Sequence, residues 1–342
     1  MALFFTYYAR KGHKVALLDF DFEAPGFMNF FGMNEEILAS KKGIVEYIMD
    51  KDFSGKVDFD NYYFTVAEEF VGEGAIYMLP AGNNTSEVPI SQMHNQFDSH
   101  LKQYLEGLAR IDFANKETIV PKFGELIQEI DSKLEPDVIL IDSRTGMNDI
   151  FGILSLHLSD LVVGFFGTSN QNRPLIYYFL YSIFNDEVNN KSVILANSII
   201  SSERYFETFS KDIDDILNQY AENEHPDREK NYSSPPIVDK YPIYREGILE
   251  ELGIPGLEEK DRFIKFTEAP SYHYREFMEG IEETIKELTE TSPLDEEDKD
   301  EDTPHVKVVG KTELPASKKE LIQARQTILQ RYWDNKPKLY PE

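Results

Sequence analysis

Residues 137–142, Asp-Val-Ile-Leu-Ile-Asp, set four consecutive apolar residues between two aspartates. A run that short, with no polar position inside it, has no face to offer water. It therefore predicts a strand covered on both sides, in the centre of a sheet. Residues 14–20 (KVALLDF), 161–166 (LVVGFF) and 192–197 (SVILAN) repeat the pattern, and a helical stretch over 175–184 separates the last two. Strand, helix, strand, helix in that order predicts an α/β fold with a doubly wound, mostly parallel sheet. In such sheets ligands bind beyond the carboxyl ends of the strands, and Asp19, Asp21, Asp142 and Asn197 all fall at strand ends.

Elsewhere, residues 1–11 read as the back half of a buried helix ended by Gly12. Residues 62–66 and 75–79 read as strands, and 92–108 and 117–134 as helices, with Pro121 marking a first turn or a break. Residues 203–220, 244–252 and 272–288 carry helical spacing, whereas 221–234 read as a polar loop. The folded domain is expected over 1–291. Residues 282–302 hold eleven acidic side chains against two lysines, which predicts a solvated linker over 292–316. Ser317-Lys318-Lys319-Glu320 has the form of a capping box and opens an amphipathic tail over 317–342.

Composition narrows the function classes. The 342 residues carry 35 Lys and Arg against 62 Asp and Glu, a net charge of -27, which argues against a DNA-binding role. No cysteine is present, so disulfides, thiolate metal sites and cysteine nucleophiles are excluded and a reducing, cytoplasmic setting is expected. No apolar run reaches the length of a membrane span, and the first residues lack the layout of a secretory signal. The seven histidines are scattered, and no G-x-S-x-G elbow occurs. Tyr272, Tyr274 and Phe277 have the spacing of core packing, with no basic stripe beside them.

One aspartate at a strand end is most simply a turn or cap residue. Two strands that both deliver carboxylates to one rim point further. Clustered carboxylates repel one another unless a cation or a proton intervenes, and a hydrated magnesium ion takes carboxylates, water and phosphate oxygens.

Four segments carry a resemblance: KGHKVALLDFDFEAPGF at 11–27, DVILIDSRTGMND at 137–149, FFGTSNQN at 165–172 and SVILANSII at 192–200. They resemble the ParA/MinD-like ATPases, deviant-Walker P-loop NTPases, and among them a subgroup with a K-G-G-V-G-R-S/T phosphate loop. The resemblance runs from about residue 1 to 288 and is weak over 41–133. It implies ATP and Mg2+ as ligands. By the same resemblance Asp19 touches Mg2+ or its water shell, Asp142 holds Mg2+ through water as the Walker B aspartate, and Asp21 orients or activates the attacking water. Gly146 falls in the second switch near the γ-phosphate, Asn197 where adenine is hydrogen-bonded, and Pro242, within Tyr241-Pro242-Ile243, beside the base. Arg144 and Arg173 rank lower, since arginines on an acidic surface are commonly ion-pair partners.

The departure from that family is at the phosphate. Its glycine-rich loop is expected immediately before the helix that contains Met1, and no such loop stands there. The strand before the loop, central in that family and next to the Walker B strand, is absent with it. The expectation is that Met1 is an internal methionine, roughly 15 to 20 residues beyond the true start. As written, the chain is expected to hydrolyse ATP weakly or not at all. Two functions follow: a Mg-ATP-dependent dimerisation switch that acts on a protein partner, or a nucleotide-free adaptor on the same fold. For the tail, packing on a domain or partner helix is favoured, and a peripheral membrane contact through 317–333 is the lesser alternative.

Overall fold

The structure is a computed structural model of the full chain. It describes residues 2–23, 25–26, 31, 41–83, 99–143, 146, 148–169, 172–184, 191–224, 238–250 and 257–291. Met1–His305 form one compact unit and Val306–Glu342 a second, and every described residue belongs to the first. The expected linker over 292–316 and the tail over 317–342, with its membrane-contact segment, lie outside the described residues.

Helix α1 (Ala2–Arg10) ends at Gly12, whose φ of +94° is the left-handed conformation glycine accepts without cost. Strand β1 (Lys14–Phe20) follows, then α2 (Ile44–Ser54), β2 (Phe64–Thr65), the single turn α3 (Glu68–Val71) and β3 (Ala75–Leu79). Helices α4 (Ser99–Arg110) and α5 (Lys116–Leu134) lead to β4 (Val138–Ser143). Pro121 sits in the second turn of α5 without ending it. Short α6 (Asp149–Ile153) runs into a π-turn over Leu154–Leu158 before β5 (Leu161–Phe166). Then come α7 (Asn172–Phe184), β6 (Ser192–Ile200), α8 (Glu203–Glu224), β7 (Val238–Tyr244), α9 (Gly247–Glu250), α10 (Leu257–Glu268) and α11 (Tyr272–Thr291).

The fold is α/β with mostly parallel strands and helices on both faces. The strands form two ladders, β2-β3-β1-β4 and β5-β6-β7, in which the pairing of β2 with β3 is the antiparallel one. Strand alternation splits the side chains between the two faces. Val15 and Leu17 of β1, Ile194 and Ala196 of β6 and Ile243 of β7 share one core with α1, α10 and α11. Ala16, Leu18 and Phe20 pack on the other face with α2 and α5, and Val193 and Leu195 pack there with α7 and α8. The chain is thus wound on both sides of the sheets, as the alternation of runs predicts.

Helix α11 shows that the two ladders point the same way. At its start the Tyr274 hydroxyl donates to the carbonyl of Tyr244, the last residue of β7. Further along, Glu282 is ion-paired with Lys11, just before β1 begins. The carboxyl end of β7 and the amino end of β1 are therefore met in that order along one helix, by residues 274 and 282, about 12 Å apart, so both ladders deliver their strand ends to a common rim.

Three expectations need correction. Among the described residues the central position expected for 137–142 is not seen: β4 pairs with β1 on one side and ends that ladder, and Val138–Ser143 are all half-buried. Residues 244–252 are not one helix. Tyr244 ends β7 and, among the described residues of that stretch, Gly247–Glu250 are helical, because Pro242 and the polar Asp239-Lys240 disguise an edge strand. Within the expected loop over 221–234, α8 continues to Glu224.

Candidate functional site

The register of β1 with β4 sets Asp19 directly beside Asp142 and Phe20 beside Ser143. Val15 and Leu17 of β1, with Val138 and Leu140 of β4, face the core under α1. By the period of two, Asp19 and Asp142 follow them onto that face. Asp19 is fully buried, and its Oδ1 accepts the backbone N–H of Asp21 at 3.1 Å, which folds the chain back over the strand end. The three carboxylates of the sequence expectation are thus brought together in part: two abreast on neighbouring strands, the third one turn residue beyond.

Electrostatics register the crowding. Burial, with the charge of Asp21 adding to it, pushes Asp142 up to about 6. Tyr104 is pushed up as well, by burial first and then by Glu46, Asp19 and Asp21. Its hydroxyl donates to the Phe22 carbonyl at 2.6 Å, so a helix distant in sequence clamps the Asp-Phe-Asp-Phe segment. Beneath that clamp, Glu46 Oε2 accepts the N–H of Gly43 at 2.9 Å and Glu46 Oε1 that of Asn83 at 3.1 Å. Burial raises the Glu46 carboxyl despite those bonds. Sequence reading left Tyr104 and Glu46 unremarked because neither belongs to a motif; a lone tyrosine on a helical period carries no signal of what its hydroxyl reaches.

Asn197 and Pro242 form a second pair, on the other ladder. They are register partners between β6 and β7. Asn197 is 1% exposed, and its Nδ2 donates to the Phe166 carbonyl at 3.0 Å while Oδ1 makes no hydrogen bond. Alternation with Val193 and Leu195 puts Asn197 on the face under α7 and α8, opposite to that of Asp19 and Asp142. Gly146 is exposed with φ +86°, a conformation suited to glycine in a turn after β4. Arg144 lies outside the described residues, and Arg173 stands in the first turn of α7.

Among the described residues no group of three or more His, Asp or Glu side chains is arranged to enclose a metal ion. The donor set of Asp19 and Asp142 instead fits an ion that keeps much of its water, as magnesium does: two hard oxygen donors, one of them costly to ionise alone. The phosphate side fits less well. The sequence holds one Gly-Lys-Thr tripeptide, Gly310-Lys311-Thr312, but His305 stands where G-x-x-x-x-G-K-[ST] has its leading glycine. That tripeptide lies outside the described residues.

No family model and no curated protein matches the chain. Solved structures do. The chain is similar to the MinD cell division protein of Aquifex aeolicus at 14% identity, over 85% of this chain and 90% of that one, with a TM-score of 0.44. It is similar to an ATP complex of McdA from Cyanothece at 14% identity, over 78% and 90%, with a TM-score of 0.44. It is also similar to a ParA family ATPase from Chlorobium tepidum at 12% identity, over 78% and 89%, with a TM-score of 0.43. These neighbours are ParA/MinD-type ATPases. Each is a likeness, and the fold assignment rests on the strand order and register described above.

Proposed function

We propose that this chain is a ParA/MinD-like ATP-dependent switch: it binds Mg-ATP at the carboxyl rim of its strands, dimerises around the nucleotide and signals to a protein partner. The observation that carries this reading is the pair Asp19 and Asp142, abreast, the first buried and the second half-buried, with Asp142 raised to about 6. Such a pair invites a cation. In this reading Asp142 and Asp19 hold magnesium through its water shell, which supplies positive charge against the phosphates. Asp21, at the end of its turn, orients the attacking water; Gly146 belongs to the loop that senses the γ-phosphate; Asn197 and Pro242 serve the base. Residues 1–291 form the nucleotide domain, 292–316 a linker and 317–342 a docking tail.

One observation favours a second reading, a nucleotide-free adaptor. Residues 1–342 contain no G-x-x-x-x-G-K-[ST] run, and backbone N–H groups of such a loop are what cradle the β- and γ-phosphates. For the same reason the chain is proposed to hydrolyse ATP weakly or not at all. Calorimetric titration with Mg-ATP, paired with sedimentation to read dimerisation, separates the two. For the switch, the chain binds Mg-ATP, Asp142→Ala weakens binding by about tenfold or more, and Asp21→Ala binds but loses any residual turnover. Absence of Mg-ATP binding and of nucleotide-dependent dimerisation in the unmodified chain establishes the adaptor instead.

A further inference from the structure

The turn that carries Asp21 is held from two sides. On one side the Asp21 N–H donates to Asp19 Oδ1 at 3.1 Å. On the other, the carbonyl of Phe22 accepts the Tyr104 hydroxyl at 2.6 Å, and the Phe22 ring packs 5.4 Å from those of Phe20 and Phe113. Asp21 thus stands between two fixed main-chain groups, and the second depends on where the Tyr104 ring sits.

That ring has little freedom. Tyr104 is buried, and a Cβ added at Gly82 would run into it, so residues 80–83 form its seat. They follow β3, whose Leu79 is the register partner of Leu18, and so leave the sheet beside the Asp19 end of β1. The seat is in turn fastened to the start of α2. Ile44 and Val45 donate their N–H groups to the carbonyls of Pro80 and Ala81 at 2.9 and 3.0 Å. Asn83 Nδ2 donates to the Lys41 carbonyl at 2.8 Å. Glu46 completes the join: Oε2 accepts from Gly43 and Oε1 from Asn83, so one carboxylate bonds both segments at once. Burial disfavours its charge. What the carboxylate supplies against that cost is two acceptor oxygens and no donor, which a glutamine of the same length cannot match.

We propose that Glu46 and Tyr104 are positioning residues for Asp21: Glu46 fixes the seat, the seat fixes the Tyr104 ring, and the Tyr104 hydroxyl fixes the turn that presents Asp21 at the rim. The proposal rests on the reading in which Asp21 orients the attacking water, and it adds two residues that act on Asp21 through the main chain. Both lie within 41–133, where the sequence resemblance is weak.

Isosteric variants isolate each link. Tyr104→Phe keeps the ring on its seat and deletes the bond to Phe22. Glu46→Gln keeps one acceptor oxygen and sets a donor where the second N–H needs an acceptor. The test is amide hydrogen exchange of the full chain, read residue by residue by NMR. With Tyr104→Phe the Asp21 amide exchanges about tenfold faster or more, while the amides of Val15–Leu18 and Val193–Ala196 keep their rates. Glu46→Gln speeds the amides of Gly43, Asn83 and Asp21. The double variant speeds Asp21 no further than Tyr104→Phe alone, as links in series require. Tyr274→Phe, which deletes a phenol bond to the Tyr244 carbonyl on the other ladder, leaves Asp21 unchanged. The proposal is overturned if Tyr104→Phe leaves the Asp21 rate as it was, if Tyr274→Phe raises it as much, or if the effects of Tyr104→Phe and Glu46→Gln add. Turnover separates this outcome from the reading beneath it. Tyr104→Phe lowers the rate of Mg-ATP turnover by about threefold or more with Mg-ATP affinity unchanged. If Asp21→Ala abolishes turnover and Tyr104→Phe leaves its rate untouched, the positioning role is overturned. If Asp21→Ala itself leaves turnover as it was, the role of Asp21 falls, and the exchange result still decides what holds its turn.

Discussion

Asp142 carries a measurable consequence whatever its ligand. Burial, aided by Asp21, raises its carboxyl from 3.8 to about 6. A carboxyl that is raised in the folded state binds its proton more tightly there than in the unfolded chain. Its contribution to stability is therefore complete below the unfolded value and is lost as pH rises through about 6. The shift corresponds to about 3 kcal/mol at neutral pH. Asp142→Asn removes the titration, so the melting temperatures of the two proteins should coincide near pH 4 and diverge toward pH 7, with the variant higher. Magnesium added at pH 7 should raise the unmodified protein more than the variant. Parallel melting curves across that range would mean that the carboxylate is ionised at no cost and that the cation argument loses its ground. The neighbouring Tyr104 offers a milder check: Tyr104→Phe deletes the hydroxyl bond to Phe22 and should cost about 1 kcal/mol in denaturant unfolding.

At the scale of elements, a tight approach between helix and sheet is made by α11 on β7. A Cβ added at Gly280 would run into the phenol of Tyr241. Gly280→Ala should therefore destabilise by about 1 to 3 kcal/mol, and Tyr241→Phe in the same chain should recover part of the loss, because the hydroxyl is the nearest atom. Additive effects in that double-variant cycle would show that the two residues do not meet. These elements differ in how far they could be read from sequence. Strands β1, β4, β5 and β6 are apolar at successive positions, and that pattern survives without any tertiary knowledge. Strand β7 is not legible in that way, because its proline and charges are the requirements of an edge. The one-turn helices α3 and α9 are too short to complete a period. For the site, the aspartates were legible as strand ends, but their pairing needed the register of β1 on β4. The face on which Asn197 lies follows from alternation along β6, yet which face holds α1 and which holds α7 is decided only by the path of the chain.

For the whole molecule, acidity and helix placement work together. Within a chain of net charge -27, Arg10 and Lys11 are matched to Glu268 and Glu282, so the end of the first helix is tied to α10 and α11. Exposed pairs of this kind contribute little free energy individually, and added salt should move the melting temperature only slightly through them. The apolar layer between those helices contributes far more. Phe4, Phe5, Tyr7 and Tyr8 of α1 are buried in one cluster with Phe263, Phe266, Phe277 and Met278. During synthesis this sets an order of events. The aromatic face of α1 leaves the ribosome before α10 and α11 and lacks their part of its cover until some 250 residues later, when they emerge. A nascent chain halted after residue 256 should bind a hydrophobic dye strongly and be retained by chaperones, and one extended to residue 291 should do neither.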